Sequence, residues 1–314
     1  MNGWAWRMAK WLVTGATGQI GGGIITPSAR GDDEWWAPPR AELDLAALPD
    51  DDILDAMLAE RDIDAIVNCA AYTAVDKAES EPDLAMTINA TAAGRLARAA
   101  ARAKNGVGIP FIQVSTDYVF AGDVNDRPYR EDDPVDPQSC YGRTKLAGEQ
   151  AVADSGARYA IVRTAWVISP RGSNFVTTML RLGRERRDVQ VVADQFGCPT
   201  DADELAAQLI YIGKRFLDDP VQPSGIWHRT NSGKTSWHGV AAHVFASAAK
   251  LDRPSPRLRA ITTAEYPTAA KRPANSRLDN TKILRDFGLR SAPWEAAVDG
   301  IVYKIVIAEE ERTA

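Results

Sequence analysis

The sequence predicts an α/β protein built on a Rossmann-like, doubly wound parallel sheet, with a smaller C-terminal portion. In the first half, short apolar runs alternate with longer alanine-rich segments, and a glycine turn follows the first apolar run. After about residue 167 this alternation is lost. Strands that alternate with helices of this length form right-handed βαβ crossovers and therefore a parallel sheet. We accordingly expect one domain over residues 1–167 and a second portion over residues 168–314.

The elements of the first half are predicted from the period of their apolar residues. The first strand covers residues 11–13, and a helix begins after it at about Gln19. A weak strand is expected at Trp35 and Trp36, because Pro38 and Pro39 truncate it. The other predictions are strands 65–70, 111–114 and 159–162 and helices 84–104 and 141–154.

The second half is less regular. Helical periods predict helices at 174–187, 204–216 and 236–250, and apolar runs predict strands at 189–192 and 225–228. Residues 253–277 are rich in Pro, Arg and Thr and have little periodicity, which favours an irregular functional loop. Whether some of these strands rejoin the main sheet is left open by the pattern.

The balance of acidic and basic residues limits which classes of partner the protein can bind. Lys and Arg number 37 against 42 Asp and Glu, so the formal net charge is −5. Surfaces that bind nucleic acid or anionic membranes usually carry a basic excess. The sequence therefore predicts neither a nucleic-acid nor a membrane partner, and any anion site has to be built locally from a few bases and backbone amides.

The cysteines and histidines indicate no metal site. Cys69, Cys140 and Cys198 are widely spaced, which is typical of a reducing compartment and not of a disulfide framework or a zinc site. His238 and His243 lie near each other without an acidic partner pattern. No run of about 18 apolar residues occurs. Residues 1–10 lack the apolar region of a signal peptide and are expected to lead into the first strand, so we expect a cytoplasmic protein.

A glycine turn at residues 13–21 (VTGATGQIG) is the strongest local motif. It follows a strand and opens a helix, which is the context of a dinucleotide-binding turn. Gly15 permits the tight turn, Gly18 lets backbone amides approach a diphosphate, and Gly21 lets the helix pack closely on the sheet. The spacing is GxxGxxG, a variant of the usual fingerprint, and a glycine turn without a ligand is the alternative. Residues 1–167 are thus the candidate dinucleotide-binding domain.

The choice of dinucleotide depends on the residues after the second strand. An acid there favours NAD by accepting the ribose 2′-hydroxyl, whereas an arginine accommodates the 2′-phosphate of NADP. Arg40 follows the strand closely, and Glu42 and Asp44 come later. This order favours NADPH through Arg40, with NADH as the alternative if Arg40 is a solvated surface residue.

A second constellation combines Tyr141 and Lys145 with Thr116. Residues i and i+4 share one face of a helix, so Tyr141 and Lys145 are expected to point into one cleft. A free tyrosine has a pKa of about 10, and we expect the Lys145 cation to lower it, which makes Tyr141 a usable acid and base. Thr116 lies just past the carboxyl end of a strand, where α/β sheets bind ligands, and its hydroxyl can hold a substrate carbonyl oxygen. A surface Tyr–Lys pair is the alternative.

These motifs, in this order, resemble the extended short-chain dehydrogenase/reductase superfamily and, within it, the dTDP-4-dehydrorhamnose reductase family. The resemblance covers nearly the whole chain, from about residue 12 to residue 294. The segments that carry it are 68–79 (NCAAYTAVDKAE), 115–120 (STDYVF), 141–149 (YGRTKLAGE), 163–167 (RTAWV), Asn174-Phe175, 194–200 (DQFGCPT) and 272–279 (RPANSRLD).

The resemblance implies reduction of the 4-keto group of dTDP-4-dehydro-L-rhamnose with a nicotinamide cofactor, giving dTDP-L-rhamnose. It implies that Tyr141 donates the proton, that Lys145 is its partner, and that Thr116 holds the carbonyl and tunes its reactivity. The implied cofactor contacts, beside the glycines and the tyrosine–lysine pair, are Gln19, Ile20, Asp44, Leu45, Ala70, Ala71 and Tyr72.

The substrate contacts come partly from the resemblance and partly from position. Thr116 and Asp117 are expected to contact the sugar, and Trp166 to pack against the sugar nucleotide. Further candidates are Asn174, Gln195 and Arg272, the last as a partner of the diphosphate. A core aromatic at Trp166, ordinary turn chemistry at Gln195 and a solvated Arg272 are the alternatives.

The resemblance also implies a homodimer, with Mg²⁺ at the contact in some members of the family. The glutamates that would bind this ion have no match in the sequence, and no metal ligand is predicted. Two other functions stay open on the same scaffold: a sugar-nucleotide epimerase or dehydratase, and a non-catalytic regulatory subunit like the partner of methionine adenosyltransferase. An intact Thr116, Tyr141 and Lys145 argue against the second.

Overall fold

The computed structural model describes residues 8–26, 32–123 and 127–313. Of the expected lead-in over residues 1–10, residues 1–7 lie outside these ranges. The strands are β1 Lys10–Thr14, β2 Glu34–Trp36, β3 Ala65–Asn68, β4 Phe111–Thr116, β5 Tyr159–Thr164, β6 Val167–Ile168, β7 Asp188–Val192, β8 Phe196–Gly197, β9 Thr200–Asp201, β10 Gly225–His228, β11 Thr235–Ser236 and β12 Arg257–Ile261. The α-helices are α1 Gln19–Ile24, α2 Asp51–Glu60, α3 Val75–Ala78, α4 Pro82–Met86, α5 Ala92–Arg102, α6 Cys140–Ala153, α7 Phe175–Glu185, α8 Ala202–Asp218, α9 Trp237–Ala249, α10 Thr281–Phe287 and α11 Trp294–Thr313.

The main sheet has the order β10-β5-β4-β3-β1-β2, and every pair in it is parallel. The predicted doubly wound sheet is therefore confirmed. The chain runs from β1 outward to β2 and then crosses to β3 on the other side of β1. The strand order thus reverses beside β1, and a crevice opens there at the carboxyl ends of the strands, where such sheets bind ligands.

Helices cover both faces of this sheet. One face packs against α1, α8 and α10, and the other packs against α2, α5 and α6. All four residues of β3 are buried, as a strand covered on both sides requires. β10 comes from the second half of the chain and extends the sheet beyond β5, which answers the question that the sequence left open.

A third hydrophobic cluster holds the C-terminal portion together. It is formed by the apolar faces of α7, α9 and α11 and by β7. Short strand pairs join this portion internally: β6 with β9, β8 with β11, and β7 with β12. None of the helices in the described ranges is long and apolar enough to cross a lipid bilayer.

The expectation of an irregular segment over residues 253–277 is wrong in its first part. Residues Arg257–Ile261 form β12 and pair in parallel with β7. Arg257, Arg259 and Ala260 are exposed, so the strand has few buried apolar residues to produce a period. Its partner lies far away in the sequence, and only the tertiary contact shows that the segment is extended.

The helix predicted over residues 84–104 is divided by a π-helical turn at Thr87–Thr91, between α4 and α5. Gly148 of α6 lies against the carbonyl oxygen of Asn89 in this turn, and a Cβ at Gly148 would overlap that oxygen. The π turn therefore coincides with the close approach of the helix that carries the tyrosine and the lysine.

Candidate active site

A cleft of about 700 Å³ opens at the carboxyl ends of β1, β3, β4 and β5. A volume of this size is typical of sites for small organic ligands. Its walls come from the glycine turn, the segment after β2, the end of β3, the start of α6 and the segments after β5 and β6. The cleft therefore lies at the reversal of strand order, where ligand binding is expected.

The glycine turn has the geometry that a diphosphate requires. Gly15 has a φ of +69°, and a Cβ there would lie 2.7 Å from the backbone nitrogen of Ala70. A Cβ at Gly21 would overlap the carbonyl oxygen of Gly15, so α1 packs against the turn only with glycine there. Gly18 caps α1 without a side-chain hydrogen bond. The first amides of α1 thus stay available to an anion in the cleft.

Buried polar side chains support the floor of the cleft. The Thr14 hydroxyl donates to Asn68 Oδ1 over 2.5 Å and accepts from the Ala70 amide over 3.2 Å. Asn68 Nδ2 donates in turn to Gln113 Oε1 over 2.8 Å. These bonds link β1, β3 and β4 side by side, and satisfied networks of this kind give buried polar groups one fixed arrangement.

Tyr141 and Lys145 both face the cleft from the first turns of α6. The hydroxyl of Ser139 caps the helix by accepting from the Gly142 amide over 3.1 Å. Lys145 Nζ donates to the Val114 carbonyl of β4 over 2.7 Å. The helix start and the lysine are therefore both anchored.

The electrostatics of this pair correct one expectation. We predicted that Lys145 lowers the pKa of Tyr141, but burial raises the pKa of Tyr141, and only the nearby Thr116 hydroxyl opposes the shift. Burial also lowers the pKa of Lys145 to about 8. The two side chains thus lie in one region that is shielded from water. There the neutral phenol of Tyr141 is favoured, and the positive charge of Lys145 is disfavoured by desolvation.

Thr116 and Asp117 end β4 at the cleft. The Thr116 hydroxyl donates to Asp117 Oδ1 over 3.1 Å and accepts from the Tyr118 amide over 3.2 Å. Asp117 Oδ2 is buried and has no hydrogen-bond partner among the described residues. Burial raises the pKa of Asp117 to about 6. The hydroxyls of Ser276 and Thr116 oppose this shift, so the carboxyl lies among hydroxyl donors at the edge of the cleft.

Trp166 follows β5 and lines the cleft. Its φ is +49°, in the left-handed region that few non-glycine residues adopt. The indole stacks on Trp237 with the ring centroids 3.7 Å apart, and Gly197 lies flat against it, where a Cβ would come within 2.5 Å. The backbone strain and the close packing together fix the ring at the cleft.

The cleft brings together most of the residues predicted from the sequence. Those that line it are Gly15, Gly18, Gln19, Ile20, Gly21, Arg40, Asp44, Leu45, Ala70, Ala71, Thr116, Asp117, Tyr141, Lys145 and Trp166. Arg40 is largely exposed and pairs with Asp44 over 3.1 Å, so both polar candidates for the cofactor ribose lie on one segment.

Tyr72, Asn174, Gln195 and Arg272 do not line the cleft, and each has protein partners. The Tyr72 hydroxyl donates to Glu81 over 2.6 Å. Asn174 caps α7, and Gln195 donates to the Thr263 hydroxyl over 3.1 Å. Arg272 donates to the Tyr118 hydroxyl over 3.1 Å and pairs with Asp76, which joins the segment after β12 to α3.

Several residues of the site were missed by sequence reasoning. Trp237 is one. Arg171 is another: it lines the cleft and donates to the Gln19 carbonyl over 3.1 Å. The third is the buried pair of Glu149 and Arg163. The i, i+4 spacing of Lys145 and Glu149 was the available signal for the last, because it places both on one helix face.

Within residues 8–26, 32–123 and 127–313, no group of three or more His, Cys, Asp or Glu side chains is arranged to hold a metal ion. Mg²⁺ thus has no assigned ligands in this part of the chain. Cys69, Cys140 and Cys198 are free thiols.

Comparisons with known proteins identify the family of the chain. A family model described as the RmlD substrate binding domain matches residues 9–307. The dTDP-4-dehydrorhamnose reductase of Sinorhizobium fredii is 42% identical over 296 residues, which cover 94% of this chain and 97% of that protein.

Solved structures give the same result. The dTDP-4-dehydrorhamnose reductase of Clostridium acetobutylicum superimposes with a TM-score of 0.84 at 35% identity, covering 94% of this chain and 99% of that one. The Bacillus anthracis enzyme, in complex with NADP, has a TM-score of 0.83 at 33% identity, covering 95% and 100%. This complex supports a nicotinamide cofactor. The chain therefore belongs to the dTDP-4-dehydrorhamnose reductase family.

Proposed function

We propose that this protein reduces the 4-keto group of dTDP-4-dehydro-L-rhamnose to give dTDP-L-rhamnose, with NADPH as the preferred cofactor. The observation that carries the proposal is the shared cleft, in which Thr116, Tyr141 and Lys145 face the glycine turn. When bound, the nicotinamide cofactor supplies the hydride that forms the new C–H bond at C4.

The glycine turn fits the diphosphate of such a cofactor. Gly15 and Gly21 leave no room for side chains, and the amides that follow Gly18 are not capped. This arrangement supplies donors and partial positive charge without a lysine. It allows a chain with a net charge of −5 to bind a diphosphate.

Tyr141 has the protonation state that a reductase needs. Reduction of a ketone consumes one proton at oxygen, and burial keeps the phenol of Tyr141 protonated. In the proposed step Tyr141 Oη gives its proton to the 4-oxygen of the substrate, and the phenolate that remains takes a proton from solvent before the next turnover. Thr116, whose hydroxyl favours the phenolate, holds the carbonyl oxygen, and Lys145 supplies a positive charge one helical turn from Tyr141 on α6.

Asp117 and Trp166 are the proposed sugar contacts. The Asp117 carboxylate, which lines the cleft, accepts from a sugar hydroxyl, and the fixed indole of Trp166 packs on an apolar face of the substrate. Tyr72, Asn174, Gln195 and Arg272 act, in this proposal, by supporting the walls.

Arg40 supports the preference for NADPH. It lines the cleft after β2 with most of its side chain exposed, and it forms an ion pair with Asp44 on the surface. Such pairs are weak and readily exchanged for a phosphate. The cytoplasm as compartment, supported by the free thiols, and the homodimer implied by the family both stay predictions.

The test is NADPH oxidation, followed by absorbance, with dTDP-4-dehydro-L-rhamnose present and absent. We expect stoichiometric oxidation that requires the sugar, and Tyr141→Phe should lose at least about a hundredfold in kcat while still binding NADPH. An epimerase or dehydratase recycles its hydride internally and would show no net oxidation. Near-normal turnover by Tyr141→Phe would rule out the proposed proton donor.

A further inference from the structure

A single buried carboxylate joins the helix of the catalytic pair to the two central strands. Ser115 Oγ of β4 donates to Glu149 Oε1 over 2.5 Å. Arg163 of β5 donates from Nε to the same oxygen over 2.9 Å and from Nη2 to Oε2 over 2.7 Å. Ser115 and Arg163 are direct neighbours in the β4–β5 register. Glu149 therefore accepts three hydrogen bonds from two adjacent strands.

In this cluster of Ser115, Glu149 and Arg163, the first two residues lie close in the chain to Thr116, Tyr141 and Lys145, the three residues proposed to carry the reaction. Glu149 follows Lys145 by four residues and Tyr141 by eight on α6, so all three share one helix face. Ser115 directly precedes Thr116. The side chains of Arg163 and Glu149 are each 3% exposed, so water screens their field little.

We propose that Glu149 is a positioning residue of the reductase: its carboxylate fixes α6 against β4 and keeps the Lys145 ammonium charged beside Tyr141. This inference rests on the proposed function for its catalytic consequence. The hydrogen bonds from Ser115 and Arg163 fix the position of α6 along β4 and β5, and therefore the position of Tyr141 and Lys145 relative to Thr116. The negative charge of Glu149, one helical turn from the lysine, offsets part of the cost of burying the lysine charge.

Arg163 holds the carboxylate in one orientation, because it donates to both oxygens of Glu149. Arg163 packs its other side on Phe120, with the guanidinium carbon 5.0 Å from the ring centroid. Arg163 alone would be an uncompensated buried charge, so the pair acts as one unit.

Other titratable groups near Lys145 titrate in other pH ranges, so they do not obscure the effect of Glu149 on the lysine. Cys69, at the end of β3, has a thiol pKa raised by burial to about 12 and stays neutral. His228, beside Arg163, has a pKa lowered by burial to about 3 and stays neutral as well. Asp117 titrates at about pH 6, on the acid side of the profile. A change on the alkaline side therefore reports on Lys145 and Tyr141.

The decisive experiment measures the titration of Lys145 directly, in the full chain with NADPH bound and without it. Lysine labelled with ¹³C at Cε gives one resonance per side chain, and Lys145→Arg assigns the one of interest. In Glu149→Gln we expect the Lys145 midpoint to fall by about one pH unit, because an opposite charge nearby is lost. Glu149→Asp, which keeps the charge on a shorter side chain, should restore most of the midpoint but not the kcat.

Control variants distinguish the loss of the Glu149 charge from a general loss of folding. Glu185→Gln removes an exposed glutamate paired with Arg181 at the same spacing on α7, and it should move neither the Lys145 midpoint nor the activity. If Glu149→Gln does not fold, the double variant Glu149→Gln/Arg163→Met removes both charges and should show a smaller fall in the Lys145 midpoint, because loss of the Arg163 cation acts in the opposite direction; an unchanged midpoint would overturn the electrostatic role.

The outcomes distinguish this inference from the proposed function. An unchanged Lys145 midpoint in Glu149→Gln, or equal midpoints in the Gln and Asp variants, would overturn the electrostatic role. Full kcat in Glu149→Asp would overturn the positioning role. The titration needs no sugar substrate, so failure of the wild-type protein to oxidise NADPH with dTDP-4-dehydro-L-rhamnose would overturn the proposed function and leave the titration result interpretable.

Discussion

The indole of Trp166 lies parallel to that of Trp237, with centroids 3.7 Å apart and ring planes 15° apart. Trp166 is the residue at the cleft, and Trp237, at the start of α9, is the surface on which it rests. Phe175 packs on Trp237 in turn, with a centroid distance of 4.6 Å. The ring that lines the cleft is therefore held by a stack that extends into the C-terminal cluster.

Trp237→Leu should weaken substrate binding without affecting the cofactor. Loss of an aromatic stack is worth about 1 kcal/mol, so the KM for the sugar nucleotide should rise about fivefold while the Kd for NADPH stays constant. Steady-state kinetics and fluorescence titration of NADPH measure the two. A parallel loss of NADPH affinity would mean that the substitution disturbs the whole fold and not the Trp166 wall alone.

Gly21→Ala should abolish tight binding of the cofactor. The added Cβ would overlap the Gly15 carbonyl oxygen, so the turn has to open. Its backbone N–H groups would then no longer point toward the diphosphate. We expect the Kd for NADPH to rise at least about tenfold. Gly300→Ala is the matched control, because no atom lies within 4 Å of its Cβ and α11 should gain about 0.5–1 kcal/mol of stability. NADPH affinity equal to wild type in Gly21→Ala would contradict the close-packed turn.

Acid should weaken sugar binding through Asp117. Its pKa is raised to about 6, so the carboxylate is present above that pH and is lost as the pH falls through it. Because the proposed contact uses the carboxylate as an acceptor, the KM for the sugar should rise below about pH 6. Asp117→Asn should show a raised KM that varies little with pH. If the variant kept the wild-type pH profile, another group would be responsible.

Arg40→Ala should change the choice of cofactor. A charge-assisted contact with the 2′-phosphate is worth about 1.5 kcal/mol, so the Kd for NADPH should rise roughly tenfold while that for NADH is unaltered. Titration of both cofactors into wild type and variant measures this. Because Arg40 also pairs with Asp44, Asp44→Asn provides the reciprocal comparison. An unchanged ratio of the two affinities would remove Arg40 from the selection.

The parts of the fold that were predictable are those with a local signal. β10 was predicted at its observed bounds, because Gly225–His228 is a bounded apolar run. β12 was missed, since Arg257 and Arg259 are exposed on it and its pairing with β7 is a tertiary contact. A run or period of apolar residues in the sequence indicates a segment that is buried in a core. It does not indicate a strand whose residues are mostly exposed, such as β12.

The same division holds for the site. The glycine turn and the pair of Tyr141 and Lys145 follow from spacing within one segment. The stack of Trp166 on Trp237 and the bonds of Glu149 to Ser115 and Arg163 join distant segments. The wrong sign predicted for the pKa of Tyr141 has the same origin, because burial is a property of the folded cleft and not of the spacing.

The edge strand β10, which completes the main sheet beside β5, has a consequence for synthesis. β5 has no outer neighbour until residue 228 has left the ribosome, and Trp227 is 2% exposed in the core beneath it. A nascent or truncated chain that ends at residue 167 would present a bare strand edge and an uncovered apolar face, which invites aggregation. We therefore expect the cofactor-binding half to be recovered in a native state only when the segment carrying β10 is translated with it.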